Sequence, residues 1–565
     1  MTRDIFTASA RGVLKDNFGI QDAQILWSCP KESAFGDLTT NAALSYAKAA
    51  GKSPKDIADA IVRNLEQLDS VAKAEVAGNG YVNVWLTPQA LIDQLGETLT
   101  ACTPAVKRSR ERPVIVEYSQ PNIAKPLGAH HLLTTLIGQA IANMYEHAGY
   151  PVVKWNYIGD WGTQFGKLAV AVQKWGDGRK ASAYSIDELL SLYVRFHEEV
   201  EKDTTLEDAG REAFRRLEAG DRELTSFWKD IVTLTKESLS GIYGLLHVSF
   251  DLDLGESFYQ DKMEPILRQG IKGGVFVEGK EGALIVEFPE ATGMPPYLVR
   301  KGDGATLYST RDIAQMRYRM DTYNPQEILI VTDIAQKLHF EQLVATCERL
   351  GWKLPVFENV LSGRMRFADK SMSTRKGNVL KLEQVLSEAV ERAERKIADH
   401  GDTIQTDDRR DLAQMMGIGA VAYGILSQSR KQDIVFDWDK MLSFDGNSAP
   451  YLQYTHARAR SVLDKAGKTA SSKDIRALTE KERSLINMLL KFSATLEESR
   501  STHMPHILAN YLYALCQEFN AFYNVEPILK AEEPQRSLRL SLTELTAQVL
   551  KTGASLLTIS VPDRM

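Results

Sequence analysis

A strand–helix–strand pattern between residues 114 and 157 constrains the fold of this chain more than any other feature of its sequence. Residues 114–118 (Val-Ile-Val-Glu-Tyr) and 152–157 (Val-Val-Lys-Trp-Asn-Tyr) have the composition of strands, and apolar residues recur at helical spacing from His131 to His147. Gly149 then stands in the position of a helix C-terminal cap. Two strands joined by a helix in this way run parallel with a right-handed crossover, so the pattern predicts an α/β fold with a parallel sheet.

A second strand–helix pair, at residues 328–331 and 337–350, extends the same pattern. The charged stretch at about 186–245 has helical spacing and is interpreted as an insertion into the α/β region. From about residue 446 to the end the spacing is helical without interruption, which indicates an all-α bundle.

The first part of the chain has the pattern of a small α+β unit. Helical spacing at 41–48 and 57–65 is followed by a strand-like run at 81–86. A charged segment that ends at Pro113 marks the boundary with the α/β region. The predicted domains are 1–106, 107–445 and 446–565.

Cysteine usage and hydropathy restrict the class of protein. The four cysteines are Cys29, Cys102, Cys347 and Cys516. They are isolated from one another, which argues against a zinc site and against a disulfide framework. With no apolar run of about 18 residues and no signal-peptide pattern at the N-terminus, we expect a cytoplasmic protein without a membrane segment. The net charge of −6 excludes a protein that binds nucleic acid through a uniformly basic surface. It does not exclude an RNA-binding face on which Lys and Arg are concentrated.

Residues 121–131 (Pro-Asn-Ile-Ala-Lys-Pro-Leu-Gly-Ala-His-His) connect the first strand of the pattern to its helix. In open α/β sheets ligands bind at the carboxyl ends of strands, and the free N–H groups of a helix N-terminus favour anions. His130 and His131 could donate hydrogen bonds to a phosphate there, and Gly128 and Ala129 would let a nucleotide approach the backbone. Taken alone, two ordinary histidines at the start of a helix are the alternative interpretation.

Residues 370–378 (Lys-Ser-Met-Ser-Thr-Arg-Lys-Gly-Asn) form a basic segment rich in hydroxyl groups. Such a loop can close on polyphosphate after it binds and complete the site only then. On composition alone, a solvated charged loop is the alternative.

Together these two segments resemble the HIGH and KMSKS motifs of class I aminoacyl-tRNA synthetases, and their surroundings are similar to arginyl-tRNA synthetases. The similar segments cover nearly the whole chain and lie at 36–41, 117–126, 159–166, 255–259, 307–312, 336–340, 449–458 and 561–565. The resemblance implies a Rossmann-like catalytic core, a small α+β N-terminal domain that binds the tRNA elbow, and an all-α anticodon-binding bundle. It also implies that ATP activates L-arginine, which then passes to the terminal adenosine of arginine tRNA.

Neither step of that reaction needs a side-chain nucleophile, because catalysis consists of positioning the substrates and stabilising charge on the phosphates. The catalytic residues that the resemblance implies are Lys125, His130, His131 and Lys376. The residues that it implies for ATP binding are Gly128, Ala129, His131, Met372, Ser373 and Arg375. ATP is a substrate that carries Mg²⁺ on its phosphates, and no tightly bound cofactor or resident metal is expected.

Arginine needs a particular pocket, because its guanidinium is a planar, always charged fork of five donors that carboxylates match best. By resemblance, Asp312 takes the guanidinium and Tyr308 packs beside it. Asn122 and Gln336 supply polar contacts, and Glu117 lies near the amino end. From the residues alone, Glu117 could be a surface acid at a strand end, and Tyr308 and Asp312 an exposed i,i+4 pair.

Transfer RNA would be held by phosphate contacts and by stacking of unpaired bases on aromatic rings. Tyr451, Tyr454 and Arg458 are the candidates in the bundle, although some of them could be core residues. Tyr81 and Asn83 resemble family residues that touch the tRNA elbow. The family is commonly monomeric, so we expect a monomer whose partners are arginine tRNA, L-arginine and ATP. The sequence does not identify which tRNA bases are read.

Two departures from the family pattern affect the contacts to phosphate. The usual His-x-Gly-His reads Gly128-Ala129-His130-His131 here, so either His130 substitutes for the first histidine or one contact is lost. Thr374 stands at the usual lysine of KMSK. Chains of the family that lack that lysine tend to carry one just before the HIGH motif, where Lys125 lies; Lys376 is a second candidate.

Two other functions fit part of the sequence. A catalytically inactive RNA-binding relative would explain Gly128, but the retained Lys125, His131 and Asp312 argue against it. An adenylating enzyme that acts on something other than tRNA would share the core fold, but it would have little use for both end domains.

Overall fold

The computed structural model describes residues 2–28, 30, 35–108, 111–367, 381–399, 408–467 and 475–565. Three regions follow one another along the chain: a small α+β unit, a parallel-sheet core and a helical bundle. Within these ranges, no helix is long and apolar enough to cross a membrane.

The first region consists of α1 (Thr2–Phe18), β1 (Leu38–Thr40), α2 (Ala42–Ala50), α3 (Pro54–Leu65), β2 (Val71–Ala77), β3 (Tyr81–Leu86) and α4 (Pro88–Ala101). Its antiparallel sheet has the order β1-β3-β2. Alternate residues of β3 point to opposite faces, so Val82, Val84 and Leu86 are buried in the core while Tyr81 faces outward. The side chain of Ser53 caps α3, since its oxygen accepts the backbone N–H of Asp56.

The core begins with β4 (Val114–Glu117), α5 (His131–His147), β5 (Val152–Asn156), α6 (Thr163–Trp175), α7 (Ile186–Val200), α8 (Thr205–Glu218) and α9 (Arg222–Leu245). The helix predicted at 131–147 and the helical insertion predicted at about 186–245 are both present. Gly149 has a positive φ of 84°, which suits a glycine just after a helix, although the C-cap residue itself is Ala148.

The core continues with β6 (Leu252–Asp253), α10 (Met263–Lys272), β7 (Val277–Glu278), β8 (Leu284–Val286), β9 (Tyr297–Arg300), α11 (Tyr308–Tyr323), β10 (Glu327–Asp333), α12 (Lys337–Arg349), β11 (Val356–Ser362), β12 (Met365–Phe367), α13 (Leu382–Asp399), α14 (Arg409–Leu426), β13 (Ile434–Phe436) and α15 (Trp438–Met441). The antiparallel sheet β7-β8-β9 was not predicted, because strands of two to four residues are too short to show an alternation.

The central sheet has five parallel strands in the order β11-β10-β4-β5-β6, which confirms the predicted α/β class. All four residues of β4 are buried, as expected for a parallel strand covered on both faces. Glu117 pairs with Ile330 of β10 and with Trp155 of β5. The carboxyl ends of β10, β4 and β5 therefore lie side by side.

The bundle consists of α16 (Ala449–Ala466), α17 (Glu480–Leu490), α18 (Phe492–Ser501), α19 (Pro505–Val525) and α20 (Gln535–Leu556), which confirms the all-α prediction for this region. Its apolar faces share one core, for example through Leu512, Phe519 and Leu550. Arg539 is buried and binds both Glu482 and Glu526 at 2.7 Å, so its charge is compensated inside the bundle.

One carboxylate joins the first region to the bundle. The Asp37 side chain accepts hydrogen bonds from Leu86 N (2.8 Å), from the Arg483 guanidinium (2.6 Å) and from the Asn487 amide (2.9 Å). Arg483 also donates to the Leu86 carbonyl, and Thr98 Oγ1 donates to the Leu489 carbonyl at 3.1 Å. The first region and the bundle are thus in direct contact.

Candidate active site

The candidate site lies at the carboxyl ends of β4, β5 and β10, where the turn 121–130 leads into α5. This is the edge at which open α/β sheets bind ligands. Gly128 and Ala129 are buried in the turn, and α5 begins directly after His130. The free N–H groups at the start of α5 and the positive end of its dipole suit a phosphate.

The two histidine rings of this turn lie with their centres 4.0 Å apart. Nδ1 of His131 lies 3.1 Å from the Gly128 N–H and 3.3 Å from the Gly128 carbonyl, and in the tautomer that accepts from this N–H, Nε2 carries the proton and can donate to a ligand. Burial, and then the neighbouring His130, lower the pKa of His131 to about 4. Burial also lowers the pKa of His130, and Asp333 partly opposes that shift. At neutral pH both rings are therefore neutral hydrogen-bond donors.

Backbone pairing joins the histidine turn to the start of α13. Gly128 forms an antiparallel bridge with Lys381, and Leu382 N–H donates to the Leu127 carbonyl at 2.8 Å. Lys381 follows the segment 370–378 closely in sequence. Met372, Ser373, Arg375 and Lys376, as well as Thr374, lie outside the described residues, and their predicted roles stay predictions.

Lys125 is exposed, and its ammonium lies 5.4 Å from the ring centre of Tyr193 on the insertion helix α7. It lines a cavity of about 370 Å³ between the turn, the insertion and the start of α13. The same cavity is bordered by Lys381, which binds Asp187 of α7 at 2.6 Å. Lys125 is therefore beside the histidine turn and on the side that faces the insertion.

Asp312 lies on α11 and is only 8% exposed. Its Oδ2 is 2.7 Å from Nε2 of His339 on α12, and Nδ1 of that ring is 3.1 Å from the hydroxyl of Tyr297 on β9. The ring of Tyr308 lies 5.1 Å from that of His339, and Tyr308 is 58% exposed. Asp312 is thus a buried, oriented carboxylate with an accessible aromatic ring next to it, which contradicts the reading of an exposed pair.

A second carboxylate lies close to Asp312. Glu256 is 3.3 Å from the guanidinium of Arg311, the residue before Asp312 on α11. Burial raises the pKa of Glu256 to about 7; Arg311 opposes the shift, and the negative charges of Asp312 and Asp160 add to it. Asp160 in turn accepts two hydrogen bonds from Ser257, 2.8 Å from its N–H and 2.7 Å from its hydroxyl. The charges of Glu256, Asp160 and Asp312 therefore interact with one another, and Arg311 offsets part of their negative charge.

The other predicted arginine contacts differ in accessibility. Asn122 and Gln336 are exposed at the ends of β4 and β10, where they can meet a ligand. Glu117 is 1% exposed, and both of its oxygens are used within the protein, one by Gln120 at 2.6 Å and one by the buried Arg319. Its predicted contact with arginine stays a prediction and requires one of those bonds to open.

An arginine between two tyrosine rings marks the exposed face of the bundle. The guanidinium of Arg458 lies 4.7 Å from the ring centre of Tyr454 and 4.9 Å from that of Tyr523. All three residues line a cavity of about 740 Å³ together with the C-terminal Met565. The Tyr451 hydroxyl accepts from the Asn520 amide at 3.1 Å, so this residue is partly committed to the interior.

In the first region, Tyr81 is 47% exposed, whereas Asn83 is 3% exposed and accepts a hydrogen bond from Thr39 at 2.7 Å. Tyr81 is therefore the member of the predicted pair that a ligand can reach. The predicted contact of Asn83 stays a prediction, because its side chain would first have to be uncovered.

Sequence reasoning missed several residues that the structure brings into these sites, namely Asp160, Glu256, Tyr297, His339 and Tyr523. The segments with Asp160, Glu256 and His339 were noted for their resemblance, but no role was assigned to these residues. The charge and fork shape of a guanidinium favour a second carboxylate, and that requirement could have pointed to Glu256.

Three family models match consecutive parts of the chain. The model of the catalytic domain of class I (R) tRNA synthetases matches residues 95–438. The DALR anticodon binding domain matches 452–565, and the arginyl tRNA synthetase N-terminal domain matches 4–86.

Whole proteins give the same match. The arginine–tRNA ligase of Fusobacterium nucleatum is 38% identical over 538 residues, which cover 94% of each chain. That of Alkaliphilus metalliredigens is 37% identical over 562 residues and 98% of each chain. Among solved structures, the arginyl-tRNA synthetase of Thermus thermophilus superposes with a TM-score of 0.81 at 26% identity, with all of both chains covered.

Proposed function

Since this chain belongs to the arginyl-tRNA synthetase family of class I tRNA synthetases, it is an arginine–tRNA ligase, and we propose how its residues divide the work. ATP, L-arginine and arginine tRNA are its substrates. The carboxylate of arginine attacks the α-phosphorus of ATP and pyrophosphate leaves. A hydroxyl of the terminal adenosine of the tRNA then attacks the arginyl-adenylate, and AMP leaves.

The histidine turn holds the phosphates of ATP. Nε2 of His131 donates to a phosphate oxygen, and His130 takes the place of the histidine that is missing at Gly128. Gly128 and Ala129 allow the nucleotide to lie against the backbone. The support is the 4.0 Å spacing of two neutral rings at the start of α5, where the free N–H groups of the helix favour an anion.

Lys125 supplies the positive charge that Thr374 cannot. It lies beside the turn and is exposed, so its side chain can rotate from Tyr193 towards the phosphates. The same phosphates are assigned to Lys376, Met372, Ser373 and Arg375, which would contact them from the side opposite Lys125. Magnesium would reach the site on ATP, held mostly by phosphate oxygens and water.

Recognition of arginine is assigned to a pocket around Asp312. Asp312 and Glu256 face one guanidinium, and Tyr308 covers it from the solvent side. Asn122 and Gln336 bind the backbone of the amino acid, with Glu117 at its amino end. The single observation that supports this most is the buried carboxylate of Asp312 with the acid Glu256 near it, since a neutral amino acid would bring no charge to pair with Asp312.

The bundle binds the anticodon loop. Tyr454 and Tyr523 offer flat faces for unpaired bases, and Arg458 between them offers a charge for phosphate or for stacking. Tyr451 supports this face from the inside. Tyr81, with Asn83 behind it, contacts the elbow of the tRNA. The protein acts as a monomer in the cytoplasm, which size-exclusion chromatography with light scattering and cell fractionation would test.

Charging of total tRNA with each of twenty labelled amino acids tests the function. Label should enter tRNA with arginine only, and ATP–pyrophosphate exchange should require arginine tRNA. Charging with another amino acid, or no charging at all, would overturn the assignment. Exchange that proceeds without tRNA would leave the assignment intact but contradict tRNA-dependent activation.

A further inference from the structure

The hydrogen-bonded chain Tyr297–His339–Asp312 has no part in the function proposed so far. It links three elements, β9, α12 and α11, and ends on the carboxylate assigned to the substrate guanidinium. The side chains of His339 and Asp312 are 14% and 12% exposed, so the contact is held inside the protein. A contact of this kind fixes the orientation of a carboxylate more firmly than water can.

The direction of the hydrogen bonds follows from the groups involved. Burial raises the pKa of Tyr297 above its usual range, with further contributions from Asp312, Tyr308 and Cys347, so its hydroxyl keeps its proton. A carboxylate can only accept, so Nε2 of His339 donates to Oδ2 of Asp312. When the ring is neutral, Nδ1 accepts from the Tyr297 hydroxyl. Each atom of the chain then has one defined role.

This arrangement leaves Asp312 with one oxygen for the substrate. Within the described ranges Oδ1 has no hydrogen-bond partner, whereas Oδ2 is taken by His339. A neutral imidazole that donates to Oδ2 does not cancel the charge of the carboxylate. Because His339 holds Oδ2, Asp312 presents Oδ1 in a fixed direction.

We propose that His339 is the positioning residue that sets the affinity for arginine, by holding Asp312 so that Oδ1 meets the guanidinium. The proposal rests on the assignment of Asp312 to the arginine pocket. His339 itself does not touch the reacting atoms, and Tyr297 acts one step further away by fixing the tautomer of the ring. Removing the donor on Nε2 would leave Asp312 free to turn, while ATP and tRNA would bind as before.

Two amide substitutions separate this role from a merely structural one. The amide of Gln reaches roughly the position of Nε2, whereas the amide of Asn reaches only that of Nδ1. His339→Asn should raise the arginine KM about tenfold, the size of a lost hydrogen bond to a charged group, with kcat changed less than about twofold. His339→Gln should recover most of the affinity. Lys337→Gln, on the exposed side of the same helix, is the matched control and should change nothing.

Steady-state charging of arginine tRNA, with the arginine, ATP and tRNA concentrations varied in turn, gives the three KM values. In an Asp312→Ala background, His339→Asn should add less than about twofold, because there is no carboxylate left to orient. Should His339→Asn fail to fold in thermal melts, Tyr297→Phe, expected to raise the arginine KM about threefold, takes its place.

An unchanged arginine KM in His339→Asn, or equal rises in all three KM values, would overturn the proposal. Full additivity with Asp312→Ala would overturn it too. Failure of the unaltered protein to charge arginine would instead overturn the proposed function, so the two failures are distinguishable.

Discussion

The two halves of the active site are built differently. Asp312 of α11 is hydrogen-bonded to His339 of α12, which in turn contacts Tyr297 of β9, and a separate pair of hydrogen bonds joins Ser257 to Asp160 in the loop at 255–257. On the phosphate side, His130 and Lys125 are exposed, and few bonds hold them. Under the proposed assignment, the guanidinium would meet a carboxylate that is already oriented, whereas the phosphates would meet the partly buried His131 together with two exposed side chains that are free to rearrange.

The largest effect is expected from removing the Asp312 carboxylate from the arginine pocket. Asp312→Ala leaves the guanidinium of the substrate arginine without its carboxylate partner. Because a guanidinium cannot lose its proton, the loss of one partner of such a pair costs about 2–5 kcal/mol. The arginine KM should rise roughly 30-fold or more at about 1.4 kcal/mol per decade, with the ATP KM nearly unchanged. Asp312→Asn should be only partly better. A normal arginine KM in Asp312→Ala would remove this residue from the pocket.

A smaller effect is expected on the exposed half. Lys125→Ala should lower the rate of adenylate formation about tenfold, the value of one charge-assisted contact, and leave tRNA affinity unchanged. Single-turnover formation of arginyl-adenylate in the presence of tRNA measures it. Thr374→Lys should restore part of the rate. If Lys376→Ala is severe and Lys125→Ala mild, the charge comes from the other side of the phosphates.

The smallest effect is expected from the titration of Glu256, which should make the arginine KM depend on pH. Because the pKa of Glu256 is raised to about 7, this acid is mostly protonated at pH 6 and ionised at pH 8. A guanidinium binds the ionised form better, so the arginine KM should fall about fivefold as the pH rises from 6 to 8. Glu256→Gln should flatten this profile and bind arginine more weakly at pH 8. A KM independent of pH in the unaltered protein would place Glu256 outside the pocket.

The sequence predicted the helices and strands that are long enough to show several repeats of the apolar pattern. Seventeen residues of helical spacing gave α5 with its observed bounds, and apolar β-branched runs gave β4, β5 and β10 to within a few residues. The strands β7, β8 and β9 are too short to leave a pattern, so the position of Tyr297 could not be foreseen.

A resemblance pointed to Asp312, and the structure shows that this carboxylate is buried and hydrogen-bonded; its role in binding arginine stays a prediction. Sequence reasoning missed the residues whose role depends on a long-range contact. His339 becomes significant only because α12 packs its ring against α11 and β9, and Glu256 only because a loop after β6 carries it next to Arg311. The burial that raises the pKa of Glu256 comes from segments distant in sequence, which no local pattern records.

The bridge between Gly128 and Lys381 has a consequence for the growing chain on the ribosome. The two residues are separated by roughly 250 positions, and synthesis proceeds at about 5–20 residues per second. The histidine turn therefore emerges roughly 10 to 50 seconds before the segment that pairs with it. During that interval the turn lacks the Lys381 bridge to Gly128 and the hydrogen bond from Leu382 to Leu127. Catalytic competence arrives late in synthesis, when the second half of the core closes onto the first.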